Sequence, residues 1–538
     1  MKKSLSAISA ALAAAMTLTA CGSAASGAAA ATSAAGSGNT AETAGNTAAD
    51  GSYLCSDKPV TFTIFDIFDN ITYDSSWQVF QKAAEMTNVS LESSVSKSSS
   101  DETTAFNLML SSGNLADIIS YVSMSDLEKL GHDGGLIPLN DLIDQYAPHL
   151  KQVLDENDKY RKIATSEDGN IYVLPKLQDM EVAEGDFIRM DWLEKLGLEV
   201  PNTVDELHDV LKAFRDEDPN GNGIQDEIPF FSRQGTTSFN DVLNLWDAHE
   251  GFYVRDGKVT FGPMEDEFKL AMTNAIQWYN EGIIDPEWFT RGANARDVLL
   301  GADQGGYCND WFSSNGEYNT KLADTIPGFS FLPIAPVENQ NGKRIAHTTR
   351  VGMPGWGISS QCKDPVAAIK YFDFWFTDAG KDLCNYGIEG VTYNKNADGS
   401  VTYTDAITKT DKTVLSELRN YGVQFRIGMI QDYSYEEAWS NDIAKEGIKM
   451  YEEGGYVYVP IPQLNGELAL KYTSEEESEY TKIMASITPY VTEMIQKWVL
   501  GAQDFDSTYD GFIQTLKDKG IERAIEINQA AYDRYMAS

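Results

Sequence analysis

Arg189–Pro229 reads RMDWLEKLGLEVPNTVDELHDVLKAFRDEDPNGNGIQDEIP. Asp191 to Leu196 forms a short helix that Gly197 ends. Thr203-Val-Asp-Glu206 has the capping-box pattern, in which a Thr hydroxyl and a Glu carboxylate each satisfy a free backbone N–H. Val204, Leu207, Val210, Leu211 and Phe214 then share one apolar helix face. The helix runs into Asp218-Pro-Asn-Gly-Asn-Gly-Ile-Gln-Asp-Glu227. Asp218, Asn220 and Asn222 alternate, Gly223 permits a sharp turn, and Asp226-Glu227 close the run. Side-chain oxygens at this spacing, with one backbone carbonyl, converge on the centre of a loop able to hold a hard cation. The match to an EF-hand loop is partial, because its twelfth position is Pro229 instead of a bidentate Glu. An ordinary polar turn needs only the Asn-Gly; six candidate oxygens in ten residues exceed that need.

Working outward, 538 residues are too many for one core, so two or more domains are expected. An apolar content of 42% suits a globular body. With 81 acidic against 42 basic residues the formal charge is −39, which disfavours nucleic acid and anionic headgroups as partners. Residues 1–20 read as a signal peptide: Lys2 and Lys3 precede an apolar run from Leu5 to Leu18. Leu18-Thr-Ala-Cys21 resembles the bacterial lipobox, which makes Cys21 the lipidated residue after cleavage. Palmitate-like acyl chains in number would anchor it stably at the extracytoplasmic face of the cell membrane. Residues 21–57 are dominated by Ala, Gly, Ser, Thr and Asn, the composition of a flexible linker. Cys55, Cys308, Cys362 and Cys384 lack metal-site spacing, and unpaired thiols are the favoured reading.

The body opens with the alternating strand Val60–Phe65, then a helix carrying Trp77, Phe80 and Ala84, and a strand through Val89 and Leu91. A helix from about Asp101 to Ser111 and the strand Ala116–Val122 follow. Strand, helix, strand, helix, strand is the order of a parallel α/β sheet.

Three landmarks then resemble family 1 extracellular solute-binding proteins, the receptors of ABC importers. They are Ser111-Ser-Gly-Asn-Leu-Ala-Asp-Ile-Ile119, Gly135-Leu-Ile-Pro-Leu-Asn-Asp-Leu142 and Gly169-Asn-Ile-Tyr-Val-Leu-Pro175. The Arg189–Pro229 stretch is similar to the same place in the large lipoprotein subgroup, which has oligosaccharide-binding members. The resemblance implies an α/β, two-lobed periplasmic-binding-protein-like fold, type II-like, with multiple inter-lobe crossings. It implies a first lobe of residues 58–172 and 304–352, and a second of 173–303 and 353–538 including C-terminal helices. It also implies structural Ca2+ at Asp218, Asn220, Asn222, the Ile224 carbonyl, Asp226 and Glu227, and ABC permease subunits as partners.

Enzyme motifs are missing from the sequence, and the five histidines have no partnered spacing, so a binding protein is expected over an enzyme. Trp77, Trp246, Trp311, Trp356 and Tyr393 adjoin Gly-, Asn- or Asp-rich turns and are candidate sugar-stacking platforms, with core packing equally able to explain any one of them. Trp311 and Trp356 are favoured because both adjoin expected crossings; Trp192 and Trp375 are assigned to core. Asp69, Asn70, Asn309, Asp310 and Arg350 are the polar candidates. The low count of nearby arginines favours neutral or modestly charged sugars, with a secreted carbohydrate-active enzyme or a non-transport glycan-binding lipoprotein as alternatives.

Overall fold

A computed structural model describes residues 53–537, apart from 69–70, 100, 179–181, 348–351, 411 and 459–469. The signal peptide, Cys21, Asp69, Asn70 and Arg350 therefore lie outside the described residues.

Two sheets organise the chain. The first contains β1 (Val60–Phe65), β2 (Val89–Ser93), β3 (Ile118–Ile119), β4 (Val173–Gln178), β9 (Gly352–Ile358) and β10 (Ile430–Gln431), in the order β10-β4-β9-β3-β1-β2. The second contains β5 (Glu184–Arg189), β6 (Ile228–Phe230), β7 (Gly305–Trp311) and β8 (Phe331–Ile334), in the order β8-β5-β7-β6. In the first sheet β1 is parallel to β2 and β3, as the strand–helix alternation requires, whereas β9 is antiparallel to both β3 and β4. Each sheet is packed between helices over its own core, so each is a lobe. Phe62, Ile64, Tyr371 and Trp375 lie in one core; Phe214, Phe230, Trp278 and Tyr307 lie in another.

The lobe boundaries differ from the sequence expectation. Residues 304–352 were expected in the first lobe, yet β7 pairs antiparallel with β5 and β8 does the same on its other side. Residues 353–538 were expected in the second lobe, yet β9, the helix Pro365–Phe374 and β10 all build the first. The second lobe also begins after β4, because β4 is held between β9 and β10. Buried strands of both sheets carry the same apolar pattern, and only pairing partners assign them to a sheet. The chain thus changes lobe at 178–184, at 334–352 and at 431–442. Residues 53–55, expected within the linker, belong to the body: Tyr53 and Cys55 donate their N–H groups to Met86 and Thr87 carbonyls, and Cys55 is buried.

The second lobe is completed by three C-terminal helices, Ser474–Val499, Phe505–Asp518 and Ile521–Ala537, whose Trp498, Phe505 and Phe512 interlock. Thr473 and Glu476 form a reciprocal capping box at the first of them. At Val204–Asp216 the expected box is shifted: Thr203 caps Glu206, but Glu206 accepts from Asn202 N–H instead of Thr203. All four body cysteines are free thiols.

Candidate functional site

The two lobes enclose a cavity of about 690 Å3. Phe68 beyond β1, Lys176 and Gln178 on β4 and Met353 on β9 face it from the first lobe; the 232–238 loop after β6 and the end of β7 face it from the second. The segment after β10 adds Tyr435, Glu436 and Trp439 at the third crossing. Aromatic rings and hydrogen-bonding groups are therefore presented from both lobes and from a crossing, so a ligand in the cavity would touch both lobes.

Asp310 organises the second-lobe wall. Its side chain has no exposure, and its two oxygens hold Arg233 Nη1 at 2.7 Å and Arg296 Nη1 at 2.6 Å. The same Oδ1 accepts the Trp311 backbone N–H at 2.7 Å. Arg296 is itself nearly buried and donates further to Ser314 and Asn315. A buried carboxylate with two guanidiniums satisfies the rule that interior charge is paired. Its consequence is positional: Arg233, which remains 41% exposed, is aimed at the cavity and Trp311 is fixed beside it.

Behind this wall a smaller cavity of about 100 Å3 is lined by Glu184, Asp186, Asp241, Asn244 and Asn309. Asn309 donates to Asp186 at 2.9 Å. Burial lifts the Asp186 carboxyl to about 6; burial, then Asp310 and Asp186, lift that of Asp241 to about 7. Burial likewise raises Glu436. The inner end of the cleft is thus polar, and among the described residues no lysine or arginine lines it.

Of the sequence-derived candidates, Asn309, Asp310 and Trp311 come together on the cleft wall, and Trp77 lines an adjoining chamber. Three do not join them. Trp356 is 1% exposed and packs on Tyr371, Phe372 and Trp375. It points away because β9 is buried along its whole length and its pairing with β4 slips between Met353 and Trp356, leaving Met353 on the cleft side. Trp246 is buried against Trp278, and Tyr393 against Tyr386. Trp439, Tyr435 and Arg419 were missed. The signal for the two aromatics, the run Tyr433-Ser-Tyr-Glu-Glu-Ala-Trp439, lies in a region with no strong periodicity, and Arg419 lies outside it.

The Asp218–Glu227 loop connects the helix Val204–Asp216 to β6. Asp218, Gly221 and Gly223 all have positive φ, and Asp218 accepts the N–H groups of Gly221, Asn222 and Gly223. Asp226 bonds the Gln304 side chain at 2.8 Å and Asn220 bonds the Asp303 carbonyl at 3.1 Å, tying the loop to the start of β7. Glu227 is 6% exposed and neither of its carboxylate oxygens has a hydrogen-bond partner. Burial, with Asp218 and Asp226 nearby, pushes its carboxyl up. Three carboxylates, two amides and a backbone carbonyl make an all-oxygen donor set, which fits Ca2+, and an orphaned buried carboxylate needs such a partner. Among the described residues no three His, Cys, Asp or Glu side chains are already drawn into a metal-holding group.

Residues 69–382, more than half of the chain and spanning both lobes, match the profile described as bacterial extracellular solute-binding protein. The chain belongs to that family. This solute-binding protein is 29% identical over 459 residues to the fructooligosaccharide ABC transporter substrate-binding protein FusA of Streptococcus pneumoniae, covering 80% of this chain and 82% of FusA. Its fold superposes on the alginate-binding protein AlgQ2, solved without calcium ion, with a TM-score of 0.82, 38% identity, and coverage of 89% of this chain and 99% of AlgQ2. FusA in complex with kestose gives a TM-score of 0.73 at 25% identity, covering 89% and 100% of the two chains. Among the described residues no helix of this solute-binding protein is long and apolar enough to cross a membrane.

Proposed function

We propose that this solute-binding protein is the receptor of an ABC importer, captures an oligosaccharide between its lobes, and delivers it to the permease. The observation that carries this reading is the cleft wall itself. Trp311 is fixed by Asp310, and Trp439 and Tyr435 of a crossing segment line the same cavity, so flat apolar surface and directed polar groups border one space. Apolar faces of sugar rings pack on such side chains while hydroxyls take the polar positions. Hinge closure about the three crossings then gives a ligand-bound form for the permease to recognise. FusA and AlgQ2, by their names, bind fructooligosaccharide and alginate, which supports the same ligand class here. Cys21 lipidation would tether the receptor at the outer face of the membrane.

The loop residues Asp218, Asn220, Asn222, Ile224, Asp226 and Glu227 would hold a structural Ca2+, whose positive charge offsets their crowded carboxylates. A FusA structure described as an EF-hand mutant and the AlgQ2 structure described as lacking calcium support that reading. The loop lies apart from the cleft lining, so the ion orders the lobe and takes no part in contacting sugar.

The test is titration of the purified residues 53–538 with oligosaccharide panels by thermal shift and calorimetry. Binding to the native state alone raises apparent stability, by about 2.7 kcal/mol at a hundredfold excess over Kd. Saturable sugar binding without product formation supports the receptor; turnover of the glycan moves it to the enzyme alternative; a shift by peptides and by no sugar removes the carbohydrate assignment.

A further inference from the structure

Beyond the main cavity the cleft opens into an outer chamber of about 580 Å3, nearly as large as the 690 Å3 of the first. Thr413, Ser416 and Arg419 line both, so the two spaces are continuous. Ile71, Trp77 and Asn420 face the outer chamber from the first lobe; Tyr318 and Lys321 face it from the second. The chamber is therefore a continuation of the cleft and not a pit in one lobe. A pocket for one compact small molecule takes roughly 300–1,000 Å3. The main cavity alone reaches that size, so the outer chamber has room for a further stretch of an extended ligand.

Charge does not select what enters the outer chamber. Its three cations have partners: Lys321 meets Glu317 at 2.6 Å, Lys412 stands 3.9 Å from Glu417, and the Arg419 guanidinium lies 5.2 Å from the centre of the Phe68 ring. Ring and alkyl surface is what the chamber offers beyond them. Trp77 is half-buried and held by edge contacts with Tyr73 at 5.7 Å and Phe425 at 4.7 Å. Ile71 adds apolar surface that is 45% exposed. Apolar side chains left open inside a concave site mark a place where a ligand packs. On the facing wall the Tyr318 ring is buried, with the Arg296 guanidinium 5.0 Å from its centre, and Asp310 holds that same Arg296. One carboxylate thus braces the second-lobe wall of both chambers. Thr413, Ser416 and Asn420 supply neutral hydrogen-bonding groups along the way.

We propose that the outer chamber is an extension subsite that makes the receptor select long oligosaccharides over short ones, with Trp77 as the platform that reads chain length. The proposal rests on the oligosaccharide reading above and adds length to it. A short ligand fills the main cavity and leaves the outer part of the cleft to water. A longer one continues past Thr413 and Ser416, covers Trp77 and Ile71, and adds their burial to the same binding event. The added contacts come from both lobes, so the extra units bind the closed form better than the open one and shift the protein toward closure. Because the cations of the chamber already have partners, the gain follows the length of the chain and not the charge of its units.

The experiment measures affinity against chain length by calorimetry on the protein, with graded malto-, manno-, inulin-type fructo- and oligogalacturonate series. In a series that binds, affinity is expected to rise about tenfold from tetrasaccharide to octasaccharide, the effect of burying about 50 Å2 of apolar surface. Trp77→Ala should abolish that rise. Trp77 also packs on the first-lobe core, so a second variant is needed. Ser416 is exposed at the junction of the chambers, and Ser416→Trp narrows the passage without emptying any core site; it should abolish the rise as well. The readout is the ratio of long-chain to short-chain affinity, which a loss of folded protein does not change. Equal affinity for tetrasaccharide and octasaccharide in the native protein, or a preference for length that survives Trp77→Ala, overturns the subsite while leaving an oligosaccharide receptor standing. Failure of every series to bind overturns the oligosaccharide reading itself.

Discussion

At the scale of single residues the cleft separates side chains of the same type by what surrounds them. Trp311 ends β7 and Trp356 lies within β9, yet one lines the cavity and the other is core. Trp311→Ala is expected to weaken oligosaccharide binding by tenfold or more with little loss of stability, read by calorimetry and thermal unfolding together. Trp356→Ala should instead cost about 3–5 kcal/mol in urea unfolding, the range for emptying a buried aromatic site, with affinity retained by the folded fraction. Asp310 makes a third kind of case. Asp310→Ala leaves Arg296 nearly buried without its counter-charge, so a loss of about 3–5 kcal/mol is expected; restoration of stability by Arg296→Met in that background would identify the stranded charge as the cause.

At the scale of elements the Asp218–Glu227 loop is a connector with unfinished electrostatics. Its backbone is already shaped by positive φ at three positions, and its side chains reach the start of β7. Ca2+ binding to this loop would add native-state stability by mass action. Removal of metal with EGTA should therefore lower the melting temperature, and Asp218→Ala should lower it to the same value and abolish any further effect of chelator. An unchanged melting temperature in both cases would reduce the loop to a turn. This loop was legible in the sequence because all its donors lie within ten consecutive residues, where spacing alone constrains geometry. Lobe membership was not legible in the same way: the segments that form β7 and β8 were expected in the first lobe and nearly all of β9 in the second, whereas their pairing is the reverse, since pairing is a contact between distant segments.

At the scale of the whole molecule the lobes also meet away from the cleft. The first helix of the C-terminal group touches the helix Met124–His132 of the first lobe, with Ser474 Oγ and His132 Nδ1 3.3 Å apart. Glu477 on one side and Glu128 on the other are buried there, near Asp126, Asp133 and Asp168, with Lys129 and Lys471 as the neighbouring cations. Burial and mutual repulsion lift Glu477 to about 8; burial chiefly lifts Glu128 to about 7. Because both folded values lie above the unfolded 4.5, the native state holds protons that the unfolded chain has released. Stability from this contact is then expected to fall as pH rises from about 5 to about 8. Thermal unfolding at pH 6 and pH 8.5 measures it, and Glu477→Gln should flatten that slope. Acceleration of unfolding toward low pH in the same window would contradict the account.

The sequence by itself determined what short-range order and composition control: the alternation of strands and helices, the oxygen-rich loop, and the ordered landmarks of the family. Asn309, Asp310 and Trp311 were also recoverable, because they end one strand and any strand end in such a fold can face the cleft. Only the tertiary structure decided which strands share a sheet, that β9 turns Trp356 inward, and that Trp439 and Arg419 arrive at the cleft from a stretch without periodicity. It also decided which charged side chains line the cavity and the chamber beside it. Net charge is a sum over the whole chain, whereas a bound group feels the few side chains within a Debye length or less. Folding gathered three cations of an acidic protein around one chamber.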